Sequence, residues 1–239
     1  MKRLTVSLIS VFVMMTSLFL ENPVFAQNGP QYEVTVTNLT RDQRFTPVLV
    51  ASHKPGVSLF TLGQPASPEL ATLAEEGNTG PLATLLLSLP EVMDVATSPA
   101  PPPASNLVDP GESVSVTVDT KGGFDHLSVA AMLIPTNDGF FALNGVEGPK
   151  GNKSVEFFSP AYDAGSERND ELCASIPGPG FAECVTDQNP MGDGGGAMVV
   201  GDEEEYVHIH AGIHGIGDLN AAERDWRNPV AKITIRRVH

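Results

Sequence analysis

Two acidic turns hold the residues of this chain best suited to chemistry. The run Ser128-Val-Ala-Ala-Met-Leu-Ile-Pro-Thr-Asn-Asp138 carries an apolar strand into a turn that presents Asp138. Val155-Glu-Phe-Phe158 leads to a second turn, Tyr162-Asp-Ala-Gly-Ser166, that presents Asp163. Carboxylates on two strand-end turns can meet in space and begin a site for a hard cation. The competing reading is that each Asp only bonds the backbone of its own turn. A second constellation is His208-Ile-His210 with His214. On a strand, His208 and His210 point to one side, as metal ligands at that spacing do. His214 would supply a third nitrogen, and a carboxylate such as Asp218 would complete a catalytic metal site with an open position. Against this stands one His packed in the core on a backbone carbonyl, with the others on the surface.

Other polar groups read more plainly. Asp202-Glu-Glu-Glu205 is a solvated loop before a strand, with a weak cation site as its alternative. Glu75 and Glu76 fall where a short helix ends and read as surface residues, since no nucleophile or partner acid is placed for acid–base work. Trp226 reads as a core anchor before the last strand. Cys173 and Cys184 are the only cysteines, so one intrachain pairing exists, across a loop rich in Gly and Pro. Two thiols without a nearby His pair make a poor metal site, and a disulfide is expected.

Residues 1–26 read as a secretory signal: Lys2 and Arg3, an apolar stretch from Leu8 to Leu20, and Val24-Phe25-Ala26 at the cleavage point. The mature chain then begins at Gln27, and export permits the disulfide. No other apolar stretch reaches the ~20 residues of a membrane span, so no transmembrane segment is expected. Asp and Glu number 29 against 14 Lys and Arg, a net charge of −15. Such a surface repels nucleic acid and suits cations or basic partners.

These residues are positioned mostly by strands. Tyr32, Val34 and Val36 alternate with polar residues, as do Val114, Val116 and Val118, and Ala231, Ile233 and Ile235. Thr46–His53, Phe140–Leu143, Val155–Phe158 and Tyr206–Ile213 read as further strands. Ser128–Ile134 is apolar on both faces, which marks a central strand. Ser67-Pro68 begins a short helix, with Leu70, Leu73 and Ala74 inward and Gly77 at its end. Pro81 begins a second helical piece. Ser98–Pro110 is a proline-rich surface connection. Ala164–Ala197 is a long loop that the cysteines would tie down in part. The fold class is all-β, an antiparallel β-sandwich with one or two short helices and long loops, in a single domain over 27–239.

Three segments together resemble the spondin N-terminal domain family, known from F-spondin and mindin. Ile134-Pro-Thr-Asn-Asp138 is similar to the family's "VPSPD", Tyr162-Asp-Ala-Gly-Ser166 to its "YDAGT", and Asn228-Pro-Val-Ala-Lys-Ile-Thr-Ile235 to its last strand. The resemblance implies a C2-like sandwich with calcium held at one end. Carried over by position, the ligands are Asp119, Asp138 and Asp163. Asp119 stands where mindin has the longer Glu. The "DAGT" segment is extended here by Glu167-Arg-Asn-Asp-Glu171 and the cysteine loop. Gly139 and Gly165 beside two of the ligands would let backbone carbonyls turn toward the ion.

The expectation is therefore a secreted, extracellular or periplasmic, non-enzymatic module with one structural calcium. Its partner would be a cell-surface or matrix protein or a glycan, as in adhesion. The alternative is a metal-dependent enzyme using His208, His210 and His214. Calcium-dependent membrane attachment by analogy with C2 domains is a third reading.

Overall fold

In the computed structural model of the chain, residues 29–98, 107–177, 182–184 and 204–238 are described. The expected signal at 1–26, most of the proline-rich connection and much of the Ala164–Ala197 loop fall outside them. The described elements run β1 (Gln31–Asn38), β2 (Arg44–Phe45), β3 (Leu49–His53), α1 (Pro68–Glu76), α2 (Gly80–Leu87), β4 (Val92–Thr97), β5 (Ser113–Asp119), β6 (His126–Ile134), β7 (Gly139–Glu147), β8 (Ser154–Ser159), β9 (Ala161–Asp163), β10 (His208–Ile209), α3 (Ala221–Arg224) and β11 (Ala231–Val238).

The strands form two antiparallel sheets. One has the order β5-β1-β11-β8; the other has β10-β9-β7-β6-β3-β4, with β2 paired to the end of β6. Val34 and Val36 of β1, Val116 and Val118 of β5, and Ile233 and Ile235 of β11 form the inner face of the four-stranded sheet. They pack on Val129, Ala131, Leu133 and Phe141 of the larger sheet. The outer face of the larger sheet is covered too. Leu49, Ala51, Ala130, Phe140 and Ala142 lie under Leu70 and Leu73 of α1 and Leu82 and Leu86 of α2. This second layer is why β6 is apolar on both sides: its alternation is between two buried faces, not between core and water.

Helix α1 has the predicted ends. The Ser67 hydroxyl accepts from the Leu70 N–H at 3.2 Å, and Pro68 opens the helix. Gly77 closes it at φ 67°, its N–H donating to Leu73 O. A Cβ there would stand 2.5 Å from Thr46 Cγ2, so the cap is also where the helix meets the sheet. Strand β4 was not foreseen, and the Tyr206–Ile213 segment gives only the two-residue β10. Beyond it the His210 ring accepts from the Gly212 N–H through Nδ1. None of the helices described is long and apolar enough to cross a membrane.

Candidate metal centre

The turn between β6 and β7 carries Asp138 into the interior. The Thr136 hydroxyl donates to Leu133 O at 2.6 Å and accepts from Gly139 N–H at 3.0 Å, which tightens the turn. Asp138 is fully buried. Its Oδ2 accepts from Ser166 N–H at 2.8 Å, the Ser166 hydroxyl at 3.2 Å and Glu167 N–H at 3.0 Å. Its Oδ1 has no partner. Burial, then the charge of Asp163, pushes the Asp138 pKa well above the usual carboxylate range, against the pull of the two backbone donors.

Asp163 ends β9, opposite Gly139 on one side and His208 on the other. It is fully buried as well. Oδ1 accepts from Gly165 N–H at 2.8 Å, and Oδ2 from Asn169 Nδ2 at 2.5 Å. Gly165 is required by its surroundings: φ is 66°, and a Cβ would lie 2.3 Å from Tyr206 O. Its carbonyl accepts from Glu205 N–H at 3.0 Å, so it braces the incoming β10 segment instead of turning toward an ion.

Glu75 and Glu167 join these two carboxylates. Glu75, expected on the surface, is 2% exposed, with Oε1 unpartnered. Burial raises its pKa, opposed by a bond from the Ser166 side chain. Glu167 is 8% exposed, with Oε2 unpartnered. Burial, then the charge of Glu75, pushes it up to about 8. Ser166 thus links Glu75 to Asp138, and Glu167 adjoins both. The loop that holds Glu167 is latched to the Asp138 turn by Asn137, which donates to Asp170 Oδ1 at 3.0 Å and accepts from Glu171 N–H at 3.3 Å.

The structure does not bring Asp119 to this group. Asp119 is exposed, paired with Gln31 in register, and bonded to Gln31 Nε2 at 2.7 Å and through its N–H to Asp94 Oδ2 at 2.8 Å. Ser52 donates to its carbonyl, and Ser52 pairs with Leu127 near the start of β6. Asp138 lies past the other end of β6, nine residues long, which is about 30 Å of strand. The acid expected at the third ligand position therefore sits at the opposite end of the sandwich.

The three histidines also part company. Side-chain alternation brings His208 and His210 to Asp163: His208 Nε2 is 3.6 Å from Oδ1 and His210 Nε2 is 3.9 Å from Oδ2. His214 is exposed, tied through its N–H to Glu171 Oε1. It stands outside the group Asp163, Glu204 and His208, whose ligand atoms all lie within 4.8 Å of one another. Asp218 is spent on the cysteine loop, accepting from Cys173 N–H at 3.0 Å. His210 is buried against Trp226, ring centroids 5.0 Å apart, and burial lowers its pKa. For His208, burial works downward, but the Ile209 carbonyl and the charges of Asp163 and Glu204 outweigh it and raise the pKa. The alternative set of three histidines is not brought together; a mixed trio of His208 with two carboxylates is.

Cys173 and Cys184 form the expected disulfide, Cα atoms 5.4 Å apart. Glu183 beside it takes Arg224 bidentately at 2.9 and 2.6 Å, and Arg224 also reaches Asp42. The long loop is thereby fastened to α3 and to the segment after β1.

The Spondin_N family model matches residues 23–166, which include Asp138, Asp163 and Glu75. A search of curated proteins gives no match.

Proposed function

Because the chain belongs to the spondin N-terminal domain family, we propose that it is a secreted, non-enzymatic binding module, one domain over 27–239, whose site end is locked by calcium. Three buried carboxylate oxygens without partners carry this reading: Asp138 Oδ1, Glu75 Oε1 and Glu167 Oε2. A buried anionic oxygen left unpaired is strongly destabilising. Calcium takes six to eight oxygens in irregular geometry and suits carboxylates gathered from separate loops. Asp138 would be the central ligand, with Asp163 beside it, while Glu75 and Glu167, linked to it through Ser166 and the Glu167 N–H, would close in on the ion. The ion supplies positive charge that lets these groups ionise together, and so fixes the β6–β7 turn, the loop after β9 and the end of α1. The loops around it would meet a cell-surface or matrix protein or a glycan. Secretion is supported by the leader-like start, the disulfide and the extracellular character of the family.

The test is thermal unfolding of the mature chain in EGTA and in excess calcium. At about 100 times Kd, calcium stabilises by roughly 2.7 kcal/mol. For a chain of this size that raises Tm by about 5–10 °C. No shift would remove calcium from the reading.

A further inference from the structure

We propose that Asp163, Glu204 and His208 form a second cation site, which takes a borderline transition ion of the zinc class and not calcium. Glu204 and His208 lie beyond the stretch that the family model matches and are no part of the calcium reading, with which this site shares only Asp163. The backbone builds it. The β9–β10 register sets His208 directly opposite Asp163, and residues so paired share a face of the sheet. Glu204 precedes His208 by four positions and returns to it, its Oε2 touching His208 Nε2.

Spacing and donor chemistry both fit. Ligand atoms about 2.0–2.2 Å from a tetrahedral zinc stand about 3.3–3.5 Å from one another. His208 Nε2 and Asp163 Oδ1, at 3.6 Å, are already near that separation. Glu204, with its side chain 39% exposed, is free to swing out to admit an ion. Calcium favours an all-oxygen shell, whereas an imidazole with two carboxylates favours zinc and its neighbours. With Asp163 buried, His208 partly buried and Glu204 exposed, the outer side is open to a water as fourth ligand.

The two histidine rings are set for different tasks. His208 Nδ1 lies 3.0 Å from the Ile209 carbonyl, so it carries the ring proton and donates. That leaves the Nε2 lone pair directed at the two carboxylates, the arrangement in which an outer hydrogen bond orients a ligating imidazole. His210 Nδ1 instead accepts from Gly212 N–H at 3.0 Å, so its ring proton is on Nε2 and it cannot ligate without becoming an imidazolate. This buried Nε2–H has no hydrogen-bond partner and faces Asp163 Oδ2 at 3.9 Å. Asp163 is held instead by Asn169 on Oδ2 and the Gly165 N–H on Oδ1. Of the histidines, His208 alone is a ligand.

The experiment is calorimetric titration of the mature chain with zinc chloride in saturating calcium. One zinc per chain is expected. His208→Ala and Glu204→Ala each weaken it by more than about tenfold, while His214→Ala binds as the parent does. His208→Ala keeps the melting temperature of the parent in EDTA and its full calcium response, which separates loss of the site from loss of the fold. Zinc bound equally by His208→Ala, zinc lost in His214→Ala, or no stoichiometric uptake would each overturn the proposal. Zinc uptake that depends on His208 in a protein without a calcium response would uphold it and count against the calcium reading alone.

Discussion

Glu167→Gln should stabilise the calcium-free protein at alkaline pH, although it removes a charge from an intact fold. Glu167 is held at the site end with burial and the Glu75 charge pushing its pKa from 4.5 to about 8. The folded protein therefore binds this proton more tightly than the unfolded chain. Below about pH 4.5 both states are protonated and nothing is lost. Between 4.5 and 8 the unfolded chain has shed the proton while the folded one keeps it, so stability falls as pH rises. At 1.36 kcal/mol per pH unit, the whole interval corresponds to at most about 5 kcal/mol, and the stretch from pH 6 to pH 8 to about 2–3 kcal/mol. Glutamine matches the protonated side chain in shape and escapes the loss. Urea unfolding of parent and variant in EGTA at pH 6 and pH 8 should show the gap between them widening by that amount in favour of the variant. In excess calcium the order should reverse, because the ion replaces the proton and the parent gains more from it. A gap that stays constant between the two pH values in EGTA would refute the reasoning, since the carboxyl would then titrate alike in both states.

Three further tests address other parts of the structure. Asp163→Ala should abolish the calcium-induced rise in Tm, whereas Asp119→Ala should leave it intact; loss of the rise in Asp119→Ala would return that residue to the site. Replacing Cys173 and Cys184 together by Ser should cost roughly 2–3 kcal/mol in urea unfolding, and an unchanged midpoint would mean that the Glu183–Arg224 pair holds the loop unaided. Leu73→Ala, fully buried between α1 and the larger sheet, should cost about 2–5 kcal/mol; a cost well below 1 kcal/mol would show that the helical layer adds little.

Features set by neighbours in sequence were legible, and those set by distant contacts were not. Ser67, Pro68 and Gly77 mark α1 because caps act within one turn of chain. The all-apolar run in β6 marked a central strand, though only the fold reveals that two helices cover its second face. Strand β4 has no alternation to read, because at the sheet edge it is half-buried from Val92 to Ala96 and exposed at Thr97. Glu75 looked like any acid near a helix end; its burial depends on Ser166 and Glu167, some ninety residues away. The separation of Asp119 from Asp138 is itself legible in the sequence. A short connection joins β5 to β6, so Asp119 had to lie near His126, and Asp138 a full strand away.

The chain carries a net charge of −15, yet at one end it buries Asp138, Asp163, Glu75 and Glu167, beside the backbone-bonded Glu171, and leaves three of their oxygens unpartnered. No helix or sheet requires this. Gln or Leu at Glu75 and Glu167 would fill similar space without the desolvation cost. Buried carboxylates gathered in one region have two ways to persist: protons on them, or a cation among them. Protons serve only where the raised pKa values exceed the ambient pH, and about 8 for Glu167 puts that limit near the neutral range. A cation serves above it. On the calcium reading, the site end would exchange protons on Asp138, Glu75 and Glu167 for a cation, and calcium affinity should then rise with pH. Asp138, Glu167 and Glu75 lie on the β6–β7 turn, the loop after β9 and the end of α1, so on this reading whichever state prevails would set their mutual position. A surface recognised through those loops would be sensitive to calcium and pH together, and the protons released on titrating calcium at pH 7 count how many of the carboxyls make the exchange.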